Sequence, residues 1–299
     1  METDALKIFV AVARQGSFSA VARARQVEPS SISRVIAGVE SELGERLFHR
    51  TTRKLSLTEA GALYLSRVEP LVAQLDEAAA DVRAIGRGPT GTLRLSVSVA
   101  FGLLRIVPLL GTLRARYPAL SIELLMSDAP IDLVREGVDL AVRLAPLTEA
   151  NLIATKLIET RYHVVAAPDW LAANPIATPE ALGAVPVLRF TLPGFRDRWL
   201  FRDAAGGVTG VRVDGPLLLS SALAIREAAL AGLGPALLAD WMIARDLAEG
   251  RLVECLPAWR ATATSFDTGA WAIYPSRVFL PAKVRVMIDF LREALADGG

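Results

Sequence analysis

Cysteine is almost missing from this chain. The single Cys255 excludes a disulfide framework and a cysteine-built metal site. Histidine is nearly as scarce: His49 and His163 are too few for a histidine-based metal centre. No apolar run reaches the ~18 residues that a membrane-spanning helix needs. The longest, 228–239, is broken by Gly232, Gly234 and Pro235. An excess of one charge is lacking as well. Lys+Arg number 33 against 32 Asp+Glu, so any contact with a polyanion has to come from a local cluster. Lysine is rare, four beside 29 arginines, which reads as base composition of the coding DNA. The phosphate-loop pattern G-x-x-x-x-G-K-[ST] is absent, as are G-x-S-x-G and H-E-x-x-H. His163 has no Ser or Cys nucleophile beside it and reads as structural, and Cys255 as a small core residue. No covalent or metal catalysis and no cofactor is expected. Met1-Glu2-Thr3-Asp4 lacks the basic flank of a signal peptide, so the expected compartment is the cytoplasm.

What the chain does have is length and apolar content. Its 299 residues are 52% hydrophobic and 22% charged, enough for a sizeable core and roughly two domains. The first 57 residues divide into short helices. Leu6, Phe9, Val10 and Ala13 form a buried stripe, and Gly16 stops that helix. Ser17 or Ser19 suits the N-cap of a second helix, from about Ser19 to Arg25. Pro29 suits the first position of a third, because its missing N–H would be unsatisfied there in any case. That helix is expected to bury Ile32, Val35, Ile36, Val39 and Leu43. Its opposite face carries Ser30, Ser33, Arg34, Ala37 and Gly38. Segments 46–50 and 55–57 read as a two-stranded wing. Between Arg46 and Lys54 stand Arg50 and Arg53 as well, four positive charges without an acid. A helix-turn-helix with a small, polar outer face and an adjoining basic wing fits duplex DNA: the helix sits in the major groove, Arg34 reaches a base, and Arg53 and Lys54 grip phosphate or minor groove.

Residues 58–85 read as a helix about 40 Å long. Leu65, Val68, Val72, Leu75, Ala79 and Val82 make a heptad seam that calls for a partner helix, and Pro70 lies outside it. Segment 86–91 is a breaker-rich hinge. Beyond it, strand patterns (93–99, 120–126, 139–144, 163–167, 185–190, 271–274) alternate with helical ones (103–117, 131–136, 222–231, 238–248, 281–295). That alternation predicts an α/β domain with a mainly parallel sheet, long enough for two lobes.

These residues resemble the LysR-type transcriptional regulators. The match is carried by Gly16-Ser17-Phe18-Ser19-Ala20-Val21-Ala22-Arg23, by Pro29-Ser30-Ser31-Ile32-Ser33-Arg34-Val35-Ile36 and by Leu47-Phe48-His49-Arg50-Thr51-Thr52-Arg53. Leu57-Thr58-Glu59-Ala60-Gly61 and, more weakly, Gly137-Val138-Asp139-Leu140-Ala141-Val142-Arg143 extend it. The resemblance implies an α/β protein with an N-terminal winged helix-turn-helix (1–57), a dimerising linker helix and hinge (58–88), and a two-lobed periplasmic-binding-protein-like effector domain (89–299). Lobe I would take about 91–162 and 266–299, and lobe II about 163–265. It implies Ser30, Ser31, Ser33, Arg34, Arg50, Thr51, Arg53 and Lys54 as DNA-contacting candidates. It implies an effector crevice at Ser98, Ala100, Phe101, Ser127, Phe190, Thr191, Ser220 and Ser221, with Arg143 facing it. Short hydroxyls, apolar walls and an arginine suit a small organic acid. Expected partners are double-stranded promoter DNA, that effector, a second copy in a homodimer or homotetramer, and RNA polymerase.

The chain departs from the family pattern in places. Arg25-Gln26-Val27 stands where Leu-Gly-Val is usual, so the turn at Gln26 is expected to avoid a strongly positive φ or to be strained. Arg25 replaces an apolar residue, Glu28 a Ser or Thr, and Gly38 a larger one. Two other readings are a stand-alone solute-binding protein and a small α/β hydrolase. The winged head argues against the first, and the missing nucleophile motif against the second.

Overall fold

The computed structural model describes residues 2–50, 55–84, 88–144, 152–275 and 280–296. The chain divides into two compact units, Met1–Arg87 and Gly88–Gly299.

In the first unit, α1 (Thr3–Gln15) centres its buried face on Ile8, Phe9 and Val12. That is a slight rotation from the expected stripe: Leu6, Val10 and Ala13 are half-buried flanks. Gly16 ends the helix at φ +62°, and its N–H donates to the Val12 carbonyl at 2.9 Å. Ser17 caps α2 (Phe18–Arg25), its Oγ accepting from the Ala20 N–H at 3.2 Å. α3 (Pro29–Leu43) starts on proline and buries Ile32, Ile36 and Val39. Val35 is half-buried, and Leu43, expected inside, is exposed at the helix end. The wing is β1 (Phe48–Arg50) against β2 (Leu55–Leu57), antiparallel, with Phe48 opposite Leu57. α4 (Glu59–Ala84) follows, with Pro70 inside it. Phe9 holds the core together. Its ring lies 5.6 Å from Phe48 and 5.3 Å from Tyr64, in tilted and edge contacts. The Glu40 carboxylate joins α3 to the wing by accepting from the N–H groups of Leu47 (2.9 Å) and Phe48 (3.3 Å).

The turn between α2 and α3 takes the second of its two expected courses, the strained one. Gln26 does not avoid positive φ: it sits in the left-handed region (φ +58°, ψ +41°), the one non-glycine residue with positive φ among the described residues. Two bonds hold it there. Its N–H donates to the Arg23 carbonyl, and the Val27 N–H to the Ala22 carbonyl. Arg25, in place of an apolar residue, donates to both carboxylate oxygens of Asp4 at 3.0 and 2.9 Å, tying α2 to α1. A left-handed L-residue costs about 1–2 kcal/mol. Glycine there gives back about 0.5–1 kcal/mol through the freedom of its unfolded chain. Gln26→Gly is therefore expected to stabilise the head by about 0.5–1 kcal/mol. A urea midpoint lower than that of the parent would contradict this account.

The second unit runs in chain order through β3 (Gly91–Val97), α5 (Val99–Phe101), α6 (Leu110–Arg116), β4 (Leu120–Met126), β5 (Leu140–Arg143), β6 (Leu152–Glu159) and β7 (Tyr162–Ala166). Then come α7 (Pro168–Ala173), β8 (Arg189–Phe190), β9 (Arg198–Arg202), β10 (Val208–Arg212), β11 (Leu218–Leu219), α8 (Ala222–Leu230) and β12 (Ala236–Ala239). It closes with α9 (Asp240–Ala248), β13 (Val253–Glu254), β14 (Arg260–Thr262), β15 (Gly269–Pro275) and α10 (Ala282–Ala296). One sheet has the order β4-β3-β5-β15-β6, the other β10-β9-β14-β7-β12, with β13 also on β7.

The mainly parallel sheet expected from the sequence is not what forms. β3 is parallel to β4 and β5, and β8 to β11, while the other ladders are antiparallel. The reason is connectivity. The chain leaves the first sheet at β6 and returns at β15 in the opposite direction, so β15 pairs antiparallel with both β5 and β6. The two passages are stitched where they cross: Thr160 N–H donates to the Thr268 carbonyl at 3.3 Å, and Thr268 Oγ1 to the Thr160 carbonyl at 2.5 Å.

Three helical expectations also change. Segment 103–117 is interrupted by a π-helical stretch (Gly102–Ile106) and a 3₁₀ turn (Val107–Leu109) at Pro108, which has no N–H to give. Segment 131–136 is a turn, because Asp132 Oδ1 takes the N–H groups of Val134 and Arg135 (3.1 and 3.0 Å) and Gly137 ends it. The apolar start of 238–248 is strand β12, buried at every position, and the helix begins at Asp240. Beneath the first sheet the core gathers Leu93, Leu95, Phe101, Leu140 and Met287, and in the second Trp199 and Phe201.

Candidate functional site

Two surfaces carry the sequence-derived candidates. On the head, α3 presents Ser30, Arg34, Ala37 and Gly38 to solvent, with Ser31 and Ser33 half-buried beside them. Small side chains around one long cation leave the helix able to enter a groove closely, with Arg34 reaching furthest. Glu28 stands exposed at the N-cap position and its side chain caps nothing. Arg50 lies on β1, while Thr51, Arg53 and Lys54 fall outside the described residues.

On α4 the seam residues divide. Leu65 is half-buried against the head's core, and Val68 and Val72 are buried within the unit. Two pairs bind α1 along this helix: Lys7 with Asp76, and Arg14 with both oxygens of Glu69 at 2.6 and 2.8 Å. Leu75 and Ala79 are exposed, as are Leu63, Leu71 and Ala78. The side chain of Val82 lies outside the described residues.

In the second unit, the carboxyl ends of β3, β4 and β5 bring Ser98, Ser127 and Arg143 together with two residues the sequence reading passed over, Ser96 and Asp128. Arg143 Nη2 donates to the fully buried Ser96 Oγ at 2.8 Å, and Nη1 to the Val142 carbonyl at 3.0 Å. Burial lowers its pKa from the usual guanidinium range, with the Asp128 charge acting the other way. Among the described residues no carboxylate lies within ion-pair distance of it. Asp128 Oδ1 takes the Val99 N–H at 3.0 Å, so this α5 donor is satisfied within the chain. Ser98 Oγ is buried with no hydrogen-bond partner among the described residues.

The remaining candidates differ in exposure. Ser127 Oγ accepts from Ala129 N–H at 3.2 Å, and Ser221 Oγ caps α8 through Ala224 N–H at 3.4 Å. Phe190 is half-buried and meets Phe195 edge-on at 6.1 Å; Thr191 and Ser220 are exposed. Ala100 and Phe101 are buried. The Phe101 ring lies in the core of the first sheet, 5.1 Å from Trp241 in a T-shaped contact. Trp241 packs on the cores of both sheets, and its Nε1 is buried without a partner among the described residues. No sequence signal marked it, since its role comes from bridging layers distant in the chain. His163 Nδ1 lies 2.8 Å from Glu254 Oε1, and burial pushes the Cys255 thiol up to about 12, so it is an inert thiol at neutral pH. No cluster of metal-ligating side chains occurs among the described residues.

Residues 3–62 match the model of the bacterial regulatory helix-turn-helix proteins of the lysR family, and residues 86–296 that of the LysR substrate binding domain. The chain is 34% identical over 299 residues to the HTH-type transcriptional regulator CrgA of Neisseria meningitidis serogroup C, covering 99% of this chain and 97% of that one. It is 34% identical over 291 residues to the HTH-type transcriptional regulator PtxR of Pseudomonas aeruginosa, covering 97% and 92%. The solved structure of CrgA, a LysR-type transcriptional regulator, superposes with a TM-score of 0.61 at 32% identity over 99% of both chains.

Proposed function

The chain belongs to the LysR family of DNA-binding transcriptional regulators with an effector-binding domain, and from that premise we propose how its residues divide the work. α3 is the recognition helix: Arg34 reads a base edge, Ser30, Ser31 and Ser33 fix its depth, and Arg50, Thr51, Arg53 and Lys54 hold the backbone. The observation that carries this reading is the α3 surface, a run of small exposed residues around one arginine. Two heads are held as a homodimer by α4. Because Val68 and Val72 are covered within their own unit, the pairing stripe is the exposed Leu71, Leu75 and Ala78, at spacings of four and three. Dimers pair further into tetramers, and the assembly meets RNA polymerase at its promoter in the cytoplasm. The second unit is a sensor without catalysis of its own. Its effector is a small organic acid whose carboxylate meets Arg143, with the Ser98 hydroxyl as a further partner and Ser127, Phe190, Thr191, Ser220 and Ser221 around it. An effector that binds one arrangement of the two sheets better shifts the population toward it and changes how the paired heads fit DNA.

Fluorescence anisotropy with labelled promoter DNA tests the central step. Arg34→Ala is expected to weaken specific binding by roughly ten- to a hundredfold, the value of one bidentate base contact. Non-specific binding at low salt should change much less. Equal affinity of parent and variant for the promoter would remove α3 from the major groove.

A further inference from the structure

A cavity lies beside the two passages that join the sheets. β9 and β14 pair antiparallel with Arg202 directly opposite Arg260. Like charges facing across a strand pair repel, and an anion between them reverses the sign of that interaction. The Arg202 guanidinium lies 4.0 Å over the Phe266 ring, which fixes its plane. Among the described residues neither arginine has a carboxylate within ion-pair distance.

Both arginines line a cavity of about 390 Å³ with Thr160 and Thr268. A second hollow of similar size shares Arg202, Arg260, Phe266 and Thr268 and adds Arg161 and Trp259. Thr160 is 2% exposed, and its Oγ1 has no hydrogen-bond partner among the described residues. Three of the carboxylates around these walls are engaged: Asp267 by Lys156, Glu254 by His163, and Asp203 by the Gly207 N–H at 2.7 Å. Glu159 stands exposed at the rim.

We propose that this cavity is a binding site for a small, doubly charged oxyanion, held between the Arg202 and Arg260 guanidinium groups with the Thr160 hydroxyl as a further partner. Two guanidinium groups in register match two negative charges; a monovalent anion leaves one of them unpaired. Phosphate and dicarboxylates share this chemistry. The site is separate from the Arg143 crevice. Its walls come from both passages, 159–160 and 267–268, so an occupant braces the joint between the sheets and biases the same equilibrium that an effector in the crevice shifts.

Thermal unfolding of the full chain tests this, with inorganic phosphate, succinate and chloride compared at equal ionic strength. At a hundredfold excess over Kd, phosphate or succinate is expected to raise the midpoint by about 5 °C above chloride. Whichever anion does so identifies the source. Arg202→Gln with Arg260→Gln should abolish the rise, and Thr160→Val should weaken anion affinity at least threefold. Arg260 is exposed, so Arg260→Gln alone keeps the fold and serves as the reading if the double variant does not. The proposal is overturned if neither anion exceeds chloride, or if these arginine variants keep the full rise.

Discussion

Gly61→Ala is expected to destabilise the head strongly, and with it DNA binding, while leaving the second unit intact. Gly61 sits in the first turn of α4, where the helix lies on the segment leading into the wing. A Cβ built there would come 2.0 Å from the Leu47 carbonyl oxygen and 3.0 Å from a Leu57 methyl. The closest atom is backbone, and it is held in place: the same carbonyl accepts from Thr58 N–H at 3.0 Å, while Thr58 Oγ1 donates to the Arg46 carbonyl at 2.6 Å and accepts from Gly61 N–H at 2.9 Å. No side-chain rotation relieves the clash, so α4 or the wing has to move. Overpacking of this kind costs about 3 kcal/mol or more when backbone has to shift. In a unit of this size that lowers the midpoint by about 10–20 °C. Gly38→Ala is the matched control. Nothing lies within 4 Å of its Cβ, and removing a glycine from a helix interior stabilises by about 1 kcal/mol. Calorimetry of the two variants should therefore move the head transition in opposite directions. If Gly61→Ala melts with the parent, the close approach of α4 to Leu47 is wrong.

Asp246→Ala is expected to destabilise the second unit by about 3 kcal/mol, the lower end for breaking a buried charge pair. Asp246, on α9, is fully buried. Arg226 of α8 grips it with two bonds, Nε to Oδ2 at 2.6 Å and Nη2 to Oδ1 at 2.7 Å, and Arg251 adds a third at 2.6 Å. The carboxylate raises the Arg226 pKa in return. Removing it leaves a largely buried guanidinium with only Glu227 beside it, and that carboxylate is mostly exposed and screened. The lower end of the range applies because Arg251 is 45% exposed and regains water. The loss comes from an uncompensated charge, so replacing both partners should recover much of it. Asp246→Leu with Arg226→Met is expected to be clearly more stable than Asp246→Ala in urea titrations. A double variant no better than the single one would show that packing, not the stranded cation, sets the cost.

Much of the head was legible from local signals. Gly16, Ser17 and Pro29 each act on the turn of backbone they occupy, and each stands at the helix boundary it foretold. The apolar spacing of Ile32, Ile36 and Val39 likewise shows which face of α3 turns inward. At Gln26 two courses stayed open, because residue type alone sets only a local penalty; the two backbone bonds around it and the Arg25–Asp4 pair outweigh that penalty and hold the strained turn. In the second unit the alternation of strand and helix was visible, but strand direction was not. The pairing of β15 with β5 and β6 joins segments more than a hundred residues apart, and periodicity carries no sign for parallel or antiparallel.

The crevice shows the same division. Arg143 at the end of its strand was readable, yet its bond to buried Ser96 depends on how β3 and β5 lie side by side. Phe101 and Trp241 meet across 140 residues of chain. The sequence by itself determined the winged head, the long helix and the α/β character of the remainder, because capping, helical period and charge clustering act within a few residues. Tertiary structure alone decided which side chains are buried without partners among the described residues, as at Ser98, Thr160 and Trp241, and which like charges face each other, at Arg202 and Arg260. Burial and pairing are properties of the packed chain: they depend on what the fold brings alongside, not on what precedes or follows a residue.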